Sequence, residues 1–248
     1  MKFAIIAAGE GSRLQQEGVA LPKPLVHVGG EALIDRLFRI FRGVHAEQIV
    51  VIVNTLNPLT EEHVRKLQQQ GLADDVQLVV KSTPSSMHSF FELSPYLDGA
   101  PFCLTTVDTI FREKDFANYI HAFETSQADG LMAVTDYIDD EKPLYVQTDE
   151  NLRITAFCDT DPGTPYISGG MYCLRQNALD VLRSCIANGQ SRMRNYQRAL
   201  IAAGLHLQAY PFSKVLDIDH ASDIAKAEAF LQLKGSTLAH TPSQAEWV

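Results

Sequence analysis

The chain has 248 residues, of which 46% are hydrophobic and 21% are charged, and its formal net charge is −9 at pH 7. This length and composition are typical of a globular protein that buries a proper core. The negative charge argues against nucleic acid and against an anionic membrane surface as the main partner, because both are polyanions, although a local cluster of cations can still bind a small anion.

The first half of the sequence alternates buried strands with helices. Continuous apolar runs, which are typical of strands buried on both faces of a parallel sheet, predict strands at residues 3–8, 48–54, 76–81 and 102–107. Helical spacing and capping signals predict helices at residues 32–41, 60–70 and 86–97. This alternation, with short connections, indicates an α/β fold with a mostly parallel sheet.

From about residue 130 several strands follow one another in close succession. Strands are predicted at residues 131–136, 144–148, 153–158, 168–174 and 205–210. Helices are predicted at residues 176–188, 193–203 and 222–233. We expect strands added to a parallel core within one domain, residues 1–234, and a polar C-terminal tail, residues 235–248.

The cysteines and the apolar segments indicate in which cellular compartment the protein is expected. Cys103, Cys158, Cys173 and Cys185 show no C-x-x-C spacing, which favours reduced thiols in a core over zinc ligands or disulfides. No apolar stretch approaches a membrane span, and the apolar N-terminal run is too short for a signal peptide. We therefore expect a cytoplasmic protein. A homo-oligomer is left open, because the same elements serve monomers and assemblies.

The first predicted strand runs into A-A-G-E-G-S-R-L, residues 7–14. Ligands of open α/β sheets bind beyond the carboxyl ends of the strands. Gly9 and Gly11 let backbone N–H groups approach a phosphate, and Arg13 supplies a cationic fork for phosphate oxygens. A tight turn with a surface arginine explains the same letters. The loop is neither a P-loop nor a dinucleotide fingerprint, because G-K-[ST] and the third glycine are missing.

Lys23 strengthens the interpretation of this loop as a ligand site. It lies ten residues after Arg13, between two prolines that stiffen its backbone. A lysine held in this way is better suited to a bound ligand than to solvent.

The segments AAGEGSRL, PKPL and GGEALID together resemble the nucleotidyltransferases with a GT-A-like fold, which activate sugar 1-phosphates and related phosphorylated alcohols. The resemblance implies a Rossmann-like fold, with a mostly parallel mixed sheet flanked by helices. It implies that Arg13 and Lys23 act in catalysis, Arg13 on the β- and γ-phosphates of an NTP and Lys23 near the α-phosphate. The nucleotide-binding residues of this part of the chain would be Ala7, Ala8, Gly9, Gly11, Ser12 and Arg13.

Two places in the sequence offer carboxylates for Mg²⁺, which prefers such oxygens together with phosphate oxygens. Asp108 directly follows a predicted strand, and Asp217 and Asp219 point to the same side of an extended L-D-I-D. Asp108 can instead cap a turn, and Asp219 or Ser222 can cap the following helix. The resemblance implies that Asp108 and Asp217 hold the metal with Asp219 as a helper.

A segment rich in serine and threonine, K-S-T-P-S-S-M-H-S at residues 81–89, follows the third predicted strand. It is similar to the N-N-x-x-S-L of the cytidylyl-type branch, which implies that Ser86 and Ser89 contact the nucleotide. A helix cap by Ser85 or Ser86 explains the same letters. We do not expect His88 or His220, the histidines nearest to the motifs, to act as a base, because a phosphate nucleophile is already ionised at neutral pH.

The acceptor side is marked by P-Y-I-S-G-G-M-Y-C, residues 165–173. It resembles the family's N-[AT]-G-[IM]-Y strand, which implies that Gly169 and Gly170 lie against the acceptor, although Gly-Gly in a strand is also typical of a bulge. The lysine that grips the acceptor phosphate in the family is missing near Phe157. Another cation, such as Lys142, has to replace it, or the acceptor differs.

These observations predict transfer of a nucleoside monophosphate from an NTP to a sugar 1-phosphate or similar phosphorylated acceptor, with release of pyrophosphate. Three alternatives stay open: a phosphocholine-type cytidylyltransferase, a glycosyltransferase of the same broad fold, and a non-catalytic nucleotide-binding protein. The V-D-T at residues 107–109 lacks the D-x-D of the glycosyltransferases, and the retained Arg13 and Lys23 argue against a non-catalytic protein.

Overall fold

The computed structural model describes residues 1–138 and 142–232. The predicted tail at residues 235–248 and the end of the predicted domain at residue 234 lie outside the described residues. The strands are β1 (Lys2–Ala7), β2 (His27–Val28), β3 (Glu31–Ala32), β4 (Gln48–Val53), β5 (Val76–Val80), β6 (Phe102–Thr106), β7 (Thr109–Ile110), β8 (Gly130–Thr135), β9 (Tyr145–Thr148), β10 (Ile154–Cys158), β11 (Ile167–Leu174), β12 (Leu207–Phe212) and β13 (Leu216–Asp217). The helices are α1 (Ser12–Gln16), α2 (Leu33–Gly43), α3 (Pro58–Gln69), α4 (Ser86–Leu97), α5 (Glu113–Thr125), α6 (Asn177–Ala187), α7 (Met193–Ala202) and α8 (Ala221–Gln232), and Lys23–Leu25 forms a 3-10 turn.

Nine of the described strands form one mixed sheet in the order β10-β9-β11-β6-β1-β4-β5, with β8 paired to β11 and β12 paired to β8. The strands β6, β1, β4 and β5 are parallel to one another, and β11 is antiparallel to β6 and β8. Because parallel strands end at the same edge, the loops after β1, β4, β5 and β6 meet there. The predicted Rossmann-like, GT-A-type arrangement is confirmed.

Helices cover both faces of this sheet. Side chains of β1 alternate between two cores, with Phe3 and Ile5 on one face and Ala4 and Ile6 on the other. The first core includes buried side chains of α2, α5 and α8, and the second includes those of α4, α6 and α7. The sheet is therefore buried on both sides, as its continuous apolar runs predicted.

Several short elements and one long helix were not predicted. Helix α5 buries Phe116, Tyr119, Ile120 and Phe123, which recur at helical spacing, so the signal was present in the sequence. The strands β7 and β13 have two residues each and pair only with one another among the described strands. Strands of this length leave no periodic signal.

The state of the cysteines and the character of the helices agree with the expectations from the sequence. Cys103, Cys173 and Cys185 are buried free thiols, and Cys158 is a half-buried one, as predicted. Across residues 1–138 and 142–232, no helix combines the length and the apolar character needed to cross a membrane.

Candidate active site

The glycine loop leaves β1 at the carboxyl edge of the sheet and turns at Gly11. Gly11 has a φ of 64°, a left-handed conformation that favours glycine, and it directly precedes α1. A Cβ atom at this position would lie 3.3 Å from the Cβ atom of Lys23. The glycine loop therefore packs closely against the 3-10 turn that carries Lys23.

The ammonium group of Lys23 joins two carboxylates from distant parts of the chain. Its Nζ atom lies 2.7 Å from Asp108 Oδ2 and 2.8 Å from Asp219 Oδ1. The side chains of Lys23 and Asp108 are only 14% and 17% exposed. Burial lowers the pKa of Lys23, but the two carboxylates outweigh burial and raise the pKa above its ordinary value. Lys23 is therefore a fixed cation.

Arg13 adds a second cation on the solvent side. Its Nη1 atom lies 3.4 Å from Asp219 Oδ2, and both side chains are about half exposed. Such an exposed pair is weak, so Arg13 can exchange this carboxylate for another anion at little cost. We refer to Arg13, Lys23, Asp108 and Asp219 as the charge cluster.

Asp108 and Asp217 lie on neighbouring pieces of backbone. Strands β7 and β13 pair with Thr109 opposite Asp217, and the N–H group of Ile218 donates to the carbonyl oxygen of Asp108 over 3.2 Å. The two residues that the sequence suggested as a metal pair are thus held side by side through the main chain. Their carboxylate oxygens are of the ligand type that Mg²⁺ prefers.

The start of α8 leaves the Asp219 carboxylate available for this cluster. The sequence offered Asp219 or Ser222 as the cap of this helix. Instead, the N–H group of Asp219 itself donates to Asp223 Oδ2 over 3.1 Å, and the N–H group of Ala221 donates to Glu17 Oε2 over 2.7 Å. Two other carboxylates therefore bond the backbone at this helix end.

One cavity, of about 390 Å³, opens between the glycine loop and the start of α4. We call it the glycine-loop cavity. Lys23 and Asp108 line it. Of the predicted nucleotide-binding residues, it is lined by Ala7, Ala8, Gly9, Gly11, Ser86 and Ser89. Ser12 and Arg13 do not line this cavity: Ser12 lines a smaller pocket beside Asn54, and Arg13 lines the second cavity, described below.

The serines before and within α4 have different partners. Ser85 caps the helix, because its Oγ atom accepts from the N–H group of His88 and lies 2.9 Å from the ring Nδ1 atom of the same residue. The hydroxyl of Ser89 is buried and lies 2.6 Å from Thr83 Oγ1. The capping interpretation is thus confirmed for Ser85, while Ser86 and Ser89 remain cavity-lining residues.

A second cavity, of about 470 Å³, lies between β11 and α8. We call it the β11 cavity. Thr135, Ser168 and Gly169 form part of it on the sheet side, and the carboxylates Asp217 and Asp219 also line it. The charge cluster therefore stands between the two cavities, since Asp108 lines the first one and Asp219 the second.

Gly169 and Gly170 lie where the register of β11 against β8 shifts. Gly170 has a φ of 71°, and a Cβ atom on it would lie 3.4 Å from Thr109 Oγ1. The bulge interpretation is confirmed, and Gly169 in addition lines the β11 cavity. Gly170 does not line the cavity and instead makes room for the loop after Asp108.

Four cationic side chains line the β11 cavity, namely Arg13, Lys142, Arg194 and Lys226. The sequence pointed to Arg13 and Lys142 but missed the other two. A basic run, S-R-M-R at residues 191–194, precedes and enters α7 and is the signal that could have identified Arg194. Three carboxylates, Asp217, Asp219 and Asp223, line the same cavity, so the four cations leave only a small formal excess of positive charge, which suits an anionic ligand.

The sequence of residues 3–203 matches the model of the MobA-like NTP transferase domain. The chain belongs to this family. Among curated relatives, the chain is 23% identical, over 94% of its length, to the bifunctional protein GlmU of Prochlorococcus marinus, of which the match covers 53%. It is 26% identical, over 73% of its length, to mannose-1-phosphate guanyltransferase of Schizosaccharomyces pombe, of which the match covers 51%. The chain thus spans about half the length of these relatives.

A solved structure shares the fold of this chain. The inositol-1-phosphate CTP transferase from T. maritima superposes with a TM-score of 0.74 over 96% of this chain and 98% of that chain, at 19% identity. At this identity the likeness concerns the fold alone.

The described part of the chain holds no ready-made cluster of three metal ligands. Over those residues, no three histidine, cysteine, aspartate or glutamate side chains converge as metal ligands. The nitrogen of Lys23 contacts both Asp108 and Asp219.

Proposed function

We propose that this chain transfers a nucleoside monophosphate from an NTP to a sugar 1-phosphate or a similar phosphorylated acceptor and releases pyrophosphate. The observation that carries the proposal is the charge cluster, in which Lys23 joins carboxylates that line two separate cavities. Two substrates that react with one another need two such neighbouring sites. The family, and the activity for which the mannose-1-phosphate guanyltransferase relative is named, support the same reaction class.

The glycine-loop cavity would take the NTP. Backbone N–H groups of the loop and Lys23 provide positive charge for its phosphates, and Arg13, which lines the neighbouring β11 cavity, would approach them from that side. An oxygen of the acceptor phosphate attacks the α-phosphorus, the new P–O bond forms, and the bond to the β-phosphate oxygen breaks. No side chain has to remove a proton, because the nucleophile is already anionic, so the protein's contribution is to position two anions and to offset their charge.

The β11 cavity favours a sugar phosphate over phosphocholine. A quaternary ammonium group is recognised by a cage of aromatic side chains. Among the described residues that line this cavity, Tyr137 alone is a phenylalanine, tyrosine or tryptophan, and the Nζ atom of Lys214 lies 3.8 Å from the centre of its ring. Cations, carboxylates and hydroxyl groups on the other walls suit an acceptor that carries both a phosphate and hydroxyl groups.

Mg²⁺ would be held by Asp108 and Asp217, with Asp219 as a helper. The oxygen-only donor set and the side-by-side backbone of β7 and β13 fit this ion. When bound, a divalent cation offsets charge on the α-phosphate. Lys23 would compete with the ion for the oxygens of Asp108 and Asp219. Nucleotide phosphates that draw Lys23 away from these oxygens would therefore favour binding of the ion.

The test is pyrophosphate release with Mg²⁺, using ATP, CTP, GTP, UTP and dTTP crossed with a panel of sugar 1-phosphates and phosphocholine. We expect release that requires one particular pair and that falls about 10²- to 10³-fold in Lys23→Ala, by the loss of a charge aimed at the reacting phosphate. Lys66→Ala, an exposed lysine of α3, is the matched control.

Other results would identify the alternatives. Tight nucleotide binding without turnover of any pair would contradict the proposal in favour of a non-catalytic protein. Turnover of nucleotide sugars without pyrophosphate would favour a glycosyltransferase. The cytoplasmic location, the exclusion of nucleic-acid and membrane partners, and a homo-oligomer stay predictions.

A further inference from the structure

Arg194 stands in the wall of the β11 cavity and holds a carboxylate there. Its Nη1 atom lies 2.5 Å from Asp159 Oδ1, and its Nη2 atom donates to the carbonyl oxygen of Lys142 over 3.2 Å. Asp159 belongs to F-C-D-T-D-P, residues 157–162, where the resemblance predicted a phosphate-gripping lysine and where the sequence has none.

Two arginines share this single carboxylate. Arg198 lies with its Nη2 atom 2.7 Å from Asp159 Oδ2, while its Nε atom donates to the carbonyl oxygen of Phe157 over 3.1 Å. One negative charge cannot offset two positive charges, so these three side chains together carry a net positive charge, and Arg194 is the member that lines the cavity. Asp159 is about half exposed, and an exposed ion pair is weak, so Arg194 can exchange it for another anion.

Helix α7 is braced so that Arg194 faces the cavity. Gln197, one turn further along the same face, is only 2% exposed. Its Oε1 atom accepts a hydrogen bond from the hydroxyl of Ser168, a residue of the cavity, and its Nε2 atom donates to the hydroxyl of Tyr172, both over 3.3 Å. The helix carrying Arg194 is thus tied to β11.

The entry to α7 carries backbone strain. Arg192 has a φ of 73°, a left-handed value that is unfavourable for a residue with a side chain. Such strain persists where the surrounding contacts over-determine the conformation, as they do at binding sites. Here the strained residue stands two positions before Arg194.

We propose that Arg194 binds the phosphate group of the acceptor, with Asp159 holding the guanidinium in place until the acceptor arrives. The proposal rests on the proposed function for the identity of the acceptor as a phosphate ester. In this proposal an arginine of helix α7 binds the acceptor phosphate in place of the family's lysine near Phe157, which this chain lacks. The planar fork of an arginine can bind two oxygens of one phosphate.

The test compares Arg194→Ala, Arg194→Lys and a control, Arg183→Ala. Arg183 lies on α6, and its loss removes exposed ion pairs with Asp98 and Asp180. For Arg194→Ala we expect the KM for the acceptor to rise about 10- to 100-fold, because charge-assisted hydrogen bonds to its phosphate are lost. The KM for the NTP should change less than about twofold. Arg194→Lys, which keeps the charge but not the fork, should give an intermediate acceptor KM and carries the test if the alanine variant does not fold. A merely structural role would raise both KM values together.

A second measurement separates this proposal from the proposed function. Binding of glucose 1-phosphate and of inorganic phosphate is measured calorimetrically on the unaltered chain and the variants, without NTP. Binding that depends on Arg194, with no pyrophosphate release from any pair, would keep this proposal and overturn the reaction. Pyrophosphate release with an unchanged acceptor KM in Arg194→Ala would keep the reaction and overturn this proposal.

Discussion

The side chain of Asn54 donates a hydrogen bond from Nδ2 to the carbonyl oxygen of Gly9 over 2.9 Å. Its Oδ1 atom accepts from the N–H groups of Leu56 and Asn57, over 2.9 and 3.1 Å. Asn54 directly follows β4, so one carboxamide ties the glycine loop of β1 to the connection that enters α3. The side chain of Asn54 therefore stabilises the conformation of the glycine loop, in addition to the loop's own backbone hydrogen bonds.

Replacing Asn54 with alanine should loosen the glycine loop. We expect the KM for the NTP to rise about tenfold and the free energy of unfolding to fall by about 1–3 kcal/mol, because two to three hydrogen bonds of about 1 kcal/mol each are lost. Steady-state kinetics and urea unfolding measure the two effects. Asn188→Ala, at the exposed end of α6, is the control. An NTP KM equal to that of the control would contradict a role for Asn54 in holding the loop.

Gly11 and Gly18 form a matched pair for testing the packing of Lys23. Both have left-handed φ values, 64° and 88°, so alanine at either costs about 1 kcal/mol in backbone strain. Only at Gly11 would the new Cβ atom meet Lys23, since nothing lies within 4 Å at Gly18. We expect Gly11→Ala to reduce turnover at least tenfold and Gly18→Ala to leave it nearly unchanged, at similar thermal midpoints. Equal turnover in the two variants would argue against the contact.

Asp217→Asn should change the metal requirement of the reaction. A metal-bound α-phosphate gains several kcal/mol of charge stabilisation, so the loss of one carboxylate ligand should slow turnover by about 10²-fold and raise the Mg²⁺ concentration needed for half-maximal rate. Titration of Mg²⁺ after chelation with EDTA measures both. Asp74→Asn, an exposed aspartate, is the control. An unchanged Mg²⁺ requirement would remove Asp217 from the metal pair.

The pair of Glu17 and His220 predicts a pH window for the contact between α1 and α8. Glu17 Oε1 lies 2.6 Å from His220 Nδ1, and this hydrogen bond raises the pKa of His220 and lowers the pKa of Glu17. The contribution of His220 is fully present below its ordinary pKa of 6.5 and is lost as the pH rises through the raised value. The contribution of Glu17 is present above its ordinary pKa of 4.5 and is lost as the pH falls through the lowered value.

An NMR titration of the His220 ring measures this pair directly. In Glu17→Gln we expect the pKa of His220 to fall toward its ordinary value, and in Glu47→Gln, an exposed control, we expect no change. A His220 pKa that is the same in all three proteins would show that the two side chains do not interact in solution.

Local patterns predicted most of the fold, because buried strands and amphipathic helices carry their own periodicity. The helix at Ser86–Leu97 agrees with its prediction at both ends, and the other predicted elements differ by a few residues at their ends. Helix α5 was overlooked although its apolar residues follow the helical period, so that miss lay in the interpretation of the sequence. The two-residue strands β7 and β13 are different, since only tertiary contact forms them.

The candidate site was predictable residue by residue but not as a network. The lysine between prolines and the aspartates after strands are local signals, and they identified Lys23, Asp108 and Asp219. That one ammonium group contacts both carboxylates depends on the crossing of distant loops at one sheet edge, which no local pattern contains. The place of Arg194 likewise depends on Asp159, which lies outside helix α7.

We expect the charge cluster to couple ligand binding in one cavity to ligand binding in the other. Lys23 holds Asp108, which lines one cavity, and Asp219, which lines the other. A ligand that draws the ammonium group toward the glycine loop leaves Asp219 with one cation fewer and so alters the charge that the β11 cavity presents. By thermodynamic linkage this effect is reciprocal, so each ligand changes the affinity of the other by the same factor.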